Sequence, residues 1–180
     1  MRDHISGKAI LITGGGSGFG LETARQLLAR GARVAITGRD QARLDAAACL
    51  LPGVLALRAD AVSTADWRSA LAAVQKRFDS LDILVNNHGA GVRIAPMVEQ
   101  DDEAIEAALA INLTSTLRGC REVLALMRPQ GRGHVINVAS VCAHHAWAGW
   151  GPYTAAKADP AASRAPLHRC CCRHHLAHGR

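Results

Sequence analysis

Tyr153 and Lys157 stand at i and i+4 in Tyr153-Thr-Ala-Ala-Lys157, a spacing that puts a phenol and an ammonium on one helical face. An ammonium beside a phenol favours the phenolate by Coulomb attraction. A tyrosine so placed can give or take a proton at a carbonyl or alcohol oxygen near neutral pH. Ser140 offers a hydroxyl to hold that oxygen, and Asn112, inside a long helical tract, can tie the lysine to a water-mediated proton path. A Tyr-x-x-x-Lys pair in isolation also arises by chance on a surface helix, so the elements around it decide its meaning.

A second constellation lies near the start, in Lys8-Ala-Ile-Leu-Ile-Thr-Gly-Gly-Gly-Ser-Gly-Phe-Gly20. The apolar run Ala9 to Ile12 reads as a buried strand of a parallel sheet. It leads into Thr13 and a turn with Gly14, Gly16, Ser17, Gly18, Phe19 and Gly20, and then into a helix carrying Leu21, Ala24, Leu27 and Leu28 at helical spacing. In such a strand, turn and helix, backbone N–H groups and a helix N-terminus meet a phosphate. The glycines permit the tight turn, the approach of a pyrophosphate and close helix–strand packing. A plain flexible loop is the alternative for a glycine turn without this context.

The elements that must position these groups alternate. Strands are expected at 32–37, 54–58, 82–86 and 133–139. Helices are expected at 21–30, at 40–51 capped by Asp40, and from a Ser63 or Thr64 cap to Phe78 with Trp67, Leu71, Val74 and Phe78 on one side. A long helical tract runs over 100–127, with a break near Ile111 or Asn112. Strict β-α alternation predicts an α/β fold, a doubly wound parallel sheet with helices on both faces. Ligands in such sheets bind at the carboxyl ends of the strands. The polar punctuation sits there: the glycine turn, Gly38-Arg39, Asp60-Ala61, Asn86-Asn87-His88-Gly89 and Ser140.

Length and composition narrow the function classes. The 180 residues suit one domain, and 49% hydrophobic with 20% charged residues is ordinary for a globular protein. No apolar run approaches the roughly 18 residues of a membrane helix, and no signal-peptide region precedes the first strand, which points to the cytoplasm. The net charge of +6 is shared between residues 1–157, with 17 Lys+Arg against 14 Asp+Glu, and residues 158–180, with four Arg and one Asp. No basic stripe with interleaved aromatics accompanies it, which argues against a nucleic-acid partner. Cys49, Cys120 and Cys142 are scattered singly and read as small apolar fillers.

Thr13-Gly-x-x-x-Gly-x-Gly20, Asp60, Asn86-Asn-His-Gly89, Asn112, Ser140 and Tyr153-x-x-x-Lys157, in this order, resemble the classical short-chain dehydrogenase/reductase family over residues 8–157. The resemblance implies a Rossmann-like fold. It also implies hydride transfer between a nicotinamide cofactor and a small carbonyl or alcohol substrate. Ser140, Tyr153 and Lys157 would be the catalytic triad and Asn112 its fourth member, with Tyr153 as acid/base and Lys157 also on the nicotinamide ribose. Asp60 and Ala61 would meet the adenine, Asn87 and Gly89 the cofactor, and Asn86 would steady the sheet. His88 departs from the family's usual Ala and crowds the cofactor region. Where NAD-preferring members carry an acid after strand two, this chain has Gly38-Arg39, which favours NADP(H) over NAD(H), with Asp40 as the counter-argument.

His144, His145, Trp147 and Trp150, between Ser140 and Tyr153, are candidates to touch an aromatic or acidic substrate, with loop packing as the alternative. After Lys157 the resemblance stops. Residues 158–180 hold no Val, Ile, Met or aromatic residue, and Pro160 is expected to disrupt the helix that carries Lys157. The expected organisation is an incomplete nucleotide-binding domain over 1–157 and an atypical, disordered tail over 158–180, from truncation or out-of-frame translation. The last family strands would be missing, which leaves the apolar run Val135 to Ala139 as an unpaired edge. The family usually forms homo-oligomers through the helix that this tail replaces. Cys170 to Cys172 with His168, His174, His175 and His178 lack zinc-ligand spacing, so no metal is expected. The alternative function is a weak or inactive fragment that at most binds dinucleotide.

Overall fold

The structure, a computed structural model, describes residues 4–162. Five strands form one sheet: β1 (Ala9–Thr13), β2 (Arg33–Gly38), β3 (Leu55–Arg58), β4 (Ile83–Asn86) and β5 (His134–Asn137). Between them run α1 (Gly18–Ala29), α2 (Gln41–Leu50), α3 (Thr64–Phe78), α4 (Asp102–Leu109) and α5 (Ser115–Gln130), and α6 (Gly151–Ala162) follows β5. The strand order is β3-β2-β1-β4-β5 and every pairing is parallel. This is the doubly wound, Rossmann-like architecture expected from the alternation. Its order reverses at β1, so the crevice for a ligand opens above the carboxyl ends of β1 and β4.

Strand periodicity divides the core in two. Ala9, Leu11, Ala35 and Leu84 point to the side of α3 and α5, against Trp67, Leu71, Val74, Phe78, Val123 and Met127. Ile10, Ile12, Val34, Ile36 and Val85 point to the other, against Ala24, Leu44 and Ala47. β1 is buried along its whole length, so it reads as a continuous apolar run rather than an alternating one.

Local capping fixes the helix starts. Asp40 accepts a hydrogen bond from Arg43 N–H at 3.1 Å, and Ser63 accepts one from Asp66 N–H at 3.2 Å. Asp101 does the same for Ala104 at 2.7 Å. The long tract after β4 is interrupted where the sequence suggested, by a π-helical turn over Ala110–Thr114 that carries the fully buried Asn112.

Three expectations need correction. α1 begins at Gly18 rather than Leu21, with Ser17 as its N-cap, so the last glycines of the turn already belong to the first turn of the helix. Cys49 is exposed and not a filler, since α2 buries only Leu44 and Ala47; Cys120 and Cys142 are buried. α6 does not break at Pro160 but continues to Ala162. A proline's fixed φ is itself helical, so the ring removes one hydrogen bond without forcing the chain out of the helix, and Pro129 likewise sits inside α5.

Among the described residues β5 pairs with β4 alone, and Ile136 and Val138 are 49% and 42% exposed. α6 crosses the expected boundary at residue 157. Cys170 to Cys172 and their neighbouring histidines lie outside the described residues. Among those described, no helix is long and apolar enough to cross a membrane.

Candidate functional site

The site starts where β1 ends. Gly14 has φ +66°, and a Cβ there would sit 3.1 Å from the His88 Cα, so the backbone of β4's end lies directly against the turn. A Cβ on Gly20 would run into the Gly14 carbonyl oxygen and approach Asn87 Nδ2 at 2.6 Å. The Asn87 amide donates to the carbonyls of Thr13 at 3.0 Å and Gly14 at 3.3 Å. Asn87 is therefore the strut that holds the glycine turn to β4. Ser17 caps α1 by position without a side-chain bond, which leaves first-turn N–H groups for an anion.

A cleft of about 370 Å³ opens above this turn. Of the sequence-derived candidates, Thr13, Gly14, Gly16, Ser17, Phe19, Arg39, Asp60, Ala61, Asn87 and Gly89 line it, while Gly18 and Gly20 do not. Phe19 is 89% exposed at its rim. Thr37, Arg43 and Ile111 also line it and were missed, and His88, expected to crowd this region, lines it as well. Arg43 had a signal, for the third residue after an N-cap lies in the same first turn as the cap. Asp40 is turned to this arginine: Oδ1 accepts from Arg43 N–H, and Oδ2 lies 3.3 Å from Arg43 Nε.

Arg58 extends the cationic rim, donating from Nε to the Arg39 carbonyl at 3.3 Å. Asp60 is fixed from both sides: its N–H donates to Asp66 Oδ2 at 2.8 Å, and its Oδ1 accepts from Val62 N–H at 3.1 Å. The Asp60 N–H and the Ser63 hydroxyl hold the Asp66 carboxyl below the usual range.

The proton-handling candidates gather at the other end. Asn112 Oδ1 accepts from Ala90 N–H at 3.3 Å, and its Nδ2 donates to the carbonyls of Ala108 at 3.1 Å and Ala90 at 3.4 Å. A Cβ built on Gly89 would stand 3.1 Å from Asn112 Oδ1 and 3.3 Å from Lys157 Nζ, so both groups converge on Gly89. Lys157 is only 5% exposed, and burial pushes its ammonium pKa down. Its Nζ lies 5.9 Å from the centroid of the Tyr153 ring. Tyr153 in turn meets Trp150 edge-on at 5.5 Å, and Trp150 meets Trp147 at 6.1 Å. Ser140 starts the short turn Val141–Ala143 and accepts from Cys142 N–H at 3.2 Å; α6 packs on that turn and on the π-helical turn of Asn112. His144 and His145 are exposed. Asn112, Ser140, Tyr153 and Lys157 do not wall the cleft; Gly89 is where it reaches Asn112 and Lys157.

His88 is the residue whose role the sequence concealed. It is buried, with Nδ1 2.7 Å from Thr13 Oγ1 and Nε2 2.6 Å from Ser115 Oγ. Burial and then the Lys157 charge push its pKa down to about 4, against a weaker opposing pull from Asp60. It lines the cleft, and both ring nitrogens are engaged within the protein.

A family model described as short chain dehydrogenase matches residues 8–162. The chain belongs to this family. Among curated relatives of this short chain dehydrogenase, a 3-beta-hydroxysteroid dehydrogenase of Comamonas testosteroni is 38% identical over 160 residues, 88% of this chain and 62% of the relative. A 2-(R)-hydroxypropyl-CoM dehydrogenase of Xanthobacter autotrophicus is 37% identical over 161 residues, 83% of this chain and 63% of the relative. The chain thus spans about three fifths of the length of these relatives. The crystal structure of levodione reductase superposes with a TM-score of 0.87 at 30% identity, covering 92% of this chain and 68% of that one.

Proposed function

We propose that this short chain dehydrogenase binds a nicotinamide dinucleotide, NADP(H) in preference to NAD(H), and interconverts a small carbonyl compound and an alcohol. The observation that carries the reading is the convergence of Lys157 Nζ and Asn112 Oδ1 on Gly89, at the end of a cleft that begins at the glycine turn. The residues fit the cofactor: the Gly14–Gly20 contact leaves room for backbone only, and the α1 N-terminus faces the cleft as a pyrophosphate site requires. Asp60 and Ala61 would hold the adenine end, and Gly89 and Lys157 the nicotinamide ribose.

The NADP(H) preference rests on charge at the end of β2. Arg39 and Arg43 line the cleft there, and Arg58 stands beside Arg39. Asp40 is turned to α2, with Oδ1 accepting from Arg43 N–H and Oδ2 paired with the Arg43 guanidinium, which offsets its charge beside the cleft. A guanidinium can take a 2′-phosphate bidentately, and a free carboxylate would repel it.

When bound, the dinucleotide supplies or accepts the hydride. Tyr153 gives its hydroxyl proton to the carbonyl oxygen in reduction and takes it back in oxidation. Lys157 stabilises the phenolate by its ammonium, and Ser140 holds the substrate oxygen with its hydroxyl. Asn112 keeps the π-helical turn and the Ala90 backbone in register beside the lysine.

The test is turnover of a secondary alcohol panel with NADP+, followed by dinucleotide absorbance. Tyr153→Phe should lower turnover by roughly 10²–10⁴ while leaving dinucleotide affinity within about twofold. Unchanged turnover in that variant would remove Tyr153 as the acid/base. Arg39→Ala should weaken NADPH by about tenfold and leave NADH unaffected; equal loss for both would sink the phosphate-reading role.

A further inference from the structure

Thr13 Oγ1 accepts the backbone N–H groups of Asn87 at 3.1 Å and His88 at 3.2 Å, which uses both of its lone pairs. Its own proton must then go outward, and His88 Nδ1 at 2.7 Å is nearer than the Val85 carbonyl at 3.3 Å. At the other end Ser115 donates its proton to the Ile111 carbonyl at 2.7 Å, so its oxygen receives the hydrogen bond from His88 Nε2 at 2.6 Å. The hydrogen-bond count leaves one arrangement: a neutral imidazole with the proton on Nε2. A proton on Nδ1 would face an oxygen with no lone pair left.

The chain Thr13–His88–Ser115–Ile111 joins the end of β1 to the π-helical turn of Asn112. The other direct link between the 87–90 segment and that turn is the Asn112 amide on Ala90, through two longer bonds of 3.3 and 3.4 Å. Resting on the dehydrogenase reading above, we propose that His88 is a positioning residue, a fixed-tautomer imidazole that locks the π-helical turn of Asn112 to the glycine turn. It touches no reacting atom. It sets where Asn112 and Gly89 stand relative to Lys157, so the cleft and the proton-handling groups keep one register. An alanine there, as the family usually has, leaves the Asn112–Ala90 pair to hold that register alone.

The test has two parts, of which one does not need turnover. In nitrogen-15 NMR of the wild-type chain at neutral pH, the His88 ring should show Nε2 protonated and Nδ1 bare. A cationic ring or an Nδ1–H ring would overturn the proposal. In His88→Ala and in Ser115→Ala, the side-chain amide signals of Asn112 should shift or broaden and exchange with solvent at least tenfold faster. Ser115→Ala removes the far anchor without touching the cleft and serves if His88→Ala does not fold. Where the wild type turns over, both variants should lose kcat about tenfold, with the dinucleotide KM within threefold, and the double variant should lose no more than either alone. Asn112 signals and kcat unchanged in both variants would overturn the proposal. A wild type with the expected ring signals but without turnover would contradict the dehydrogenase reading and leave the His88 lock supported.

Discussion

Around the glycine turn, the cleft is walled by the ends of β1, β2 and β4, each hydrogen-bonded to a strand on both sides, and at the adenine end by Ala59 to Ala61 after β3, which among the described residues pairs with β2 alone. Ser140 and Tyr153 instead follow β5, which pairs with β4 alone among the described residues. Under the turn, Leu11, Ile12 and Leu84 are fully buried, whereas Ile136, Val138 and Trp147 near the other end are about half exposed. The cofactor end is thus held by the sheet itself. The proton-handling end is held by packing of α6 on the π-helical turn and the 141–143 turn. A phosphate cradle tolerates little displacement of backbone N–H groups, so its place at the centre of the sheet suits it. His88 and Asn112 are the internal links through which the central half passes its order to the outer one.

The contrast can be broken most directly by substitution in the two halves. Leu11→Ala should cost about 2–5 kcal/mol, because the central strand cannot collapse around the cavity. Ile136→Thr should change stability by only about 0.5 kcal/mol, as a half-exposed edge position. Chemical denaturation measures both, and similar costs would mean that β5 is as deeply packed as β1.

A pH titration of stability sharpens the role of the link. His88 has a native pKa of about 4 against an ordinary 6.5, so as pH falls the unfolded chain takes up this proton first. Stability should therefore be unaffected by His88 above pH ~6.5 and fall by about 1.4 kcal/mol per unit between there and about 4, then level off. The difference between wild type and His88→Ala isolates this group from the other histidines. Parallel curves over that window would show an imidazole that protonates freely.

The smallest effect belongs to the rim. Asp40→Ala should cost about 1 kcal/mol through loss of the α2 cap. Because Asp40 is turned to α2 and paired with Arg43, NADH affinity should not fall, and isothermal titration checks this. A tenfold loss of NADH affinity would make Asp40 a ribose ligand.

Much of the fold was legible in the sequence because the signals were local. The run Ala9 to Ile12, the Asp40 and Ser63 caps and the interruption at Asn112 all depend on near neighbours in the chain. The glycine turn was legible because strand, turn and helix are contiguous. What escaped depended on distant partners. His88 looks like an intrusion until Thr13 and Ser115 are seen at its two nitrogens, residues far away in sequence. Arg43 had a local signal in the first turn after the Asp40 cap, but its place in the cleft depends on how α2 lies beside the end of β2. Pro160 misled because the hydrogen bond it removes was weighed without the packing of α6 on the π-helical turn and the 141–143 turn, contacts with residues distant in the chain.

Thermal unfolding of the purified chain with NADPH, NADH or neither tests the central claim most directly, because a ligand that binds only the folded state raises stability by RT ln(1 + [L]/Kd). At about 100 times Kd the gain is about 2.7 kcal/mol, and NADPH is expected to raise the midpoint more than equal NADH. A cooperative transition that neither dinucleotide moves would contradict the assignment of the glycine-turn cleft.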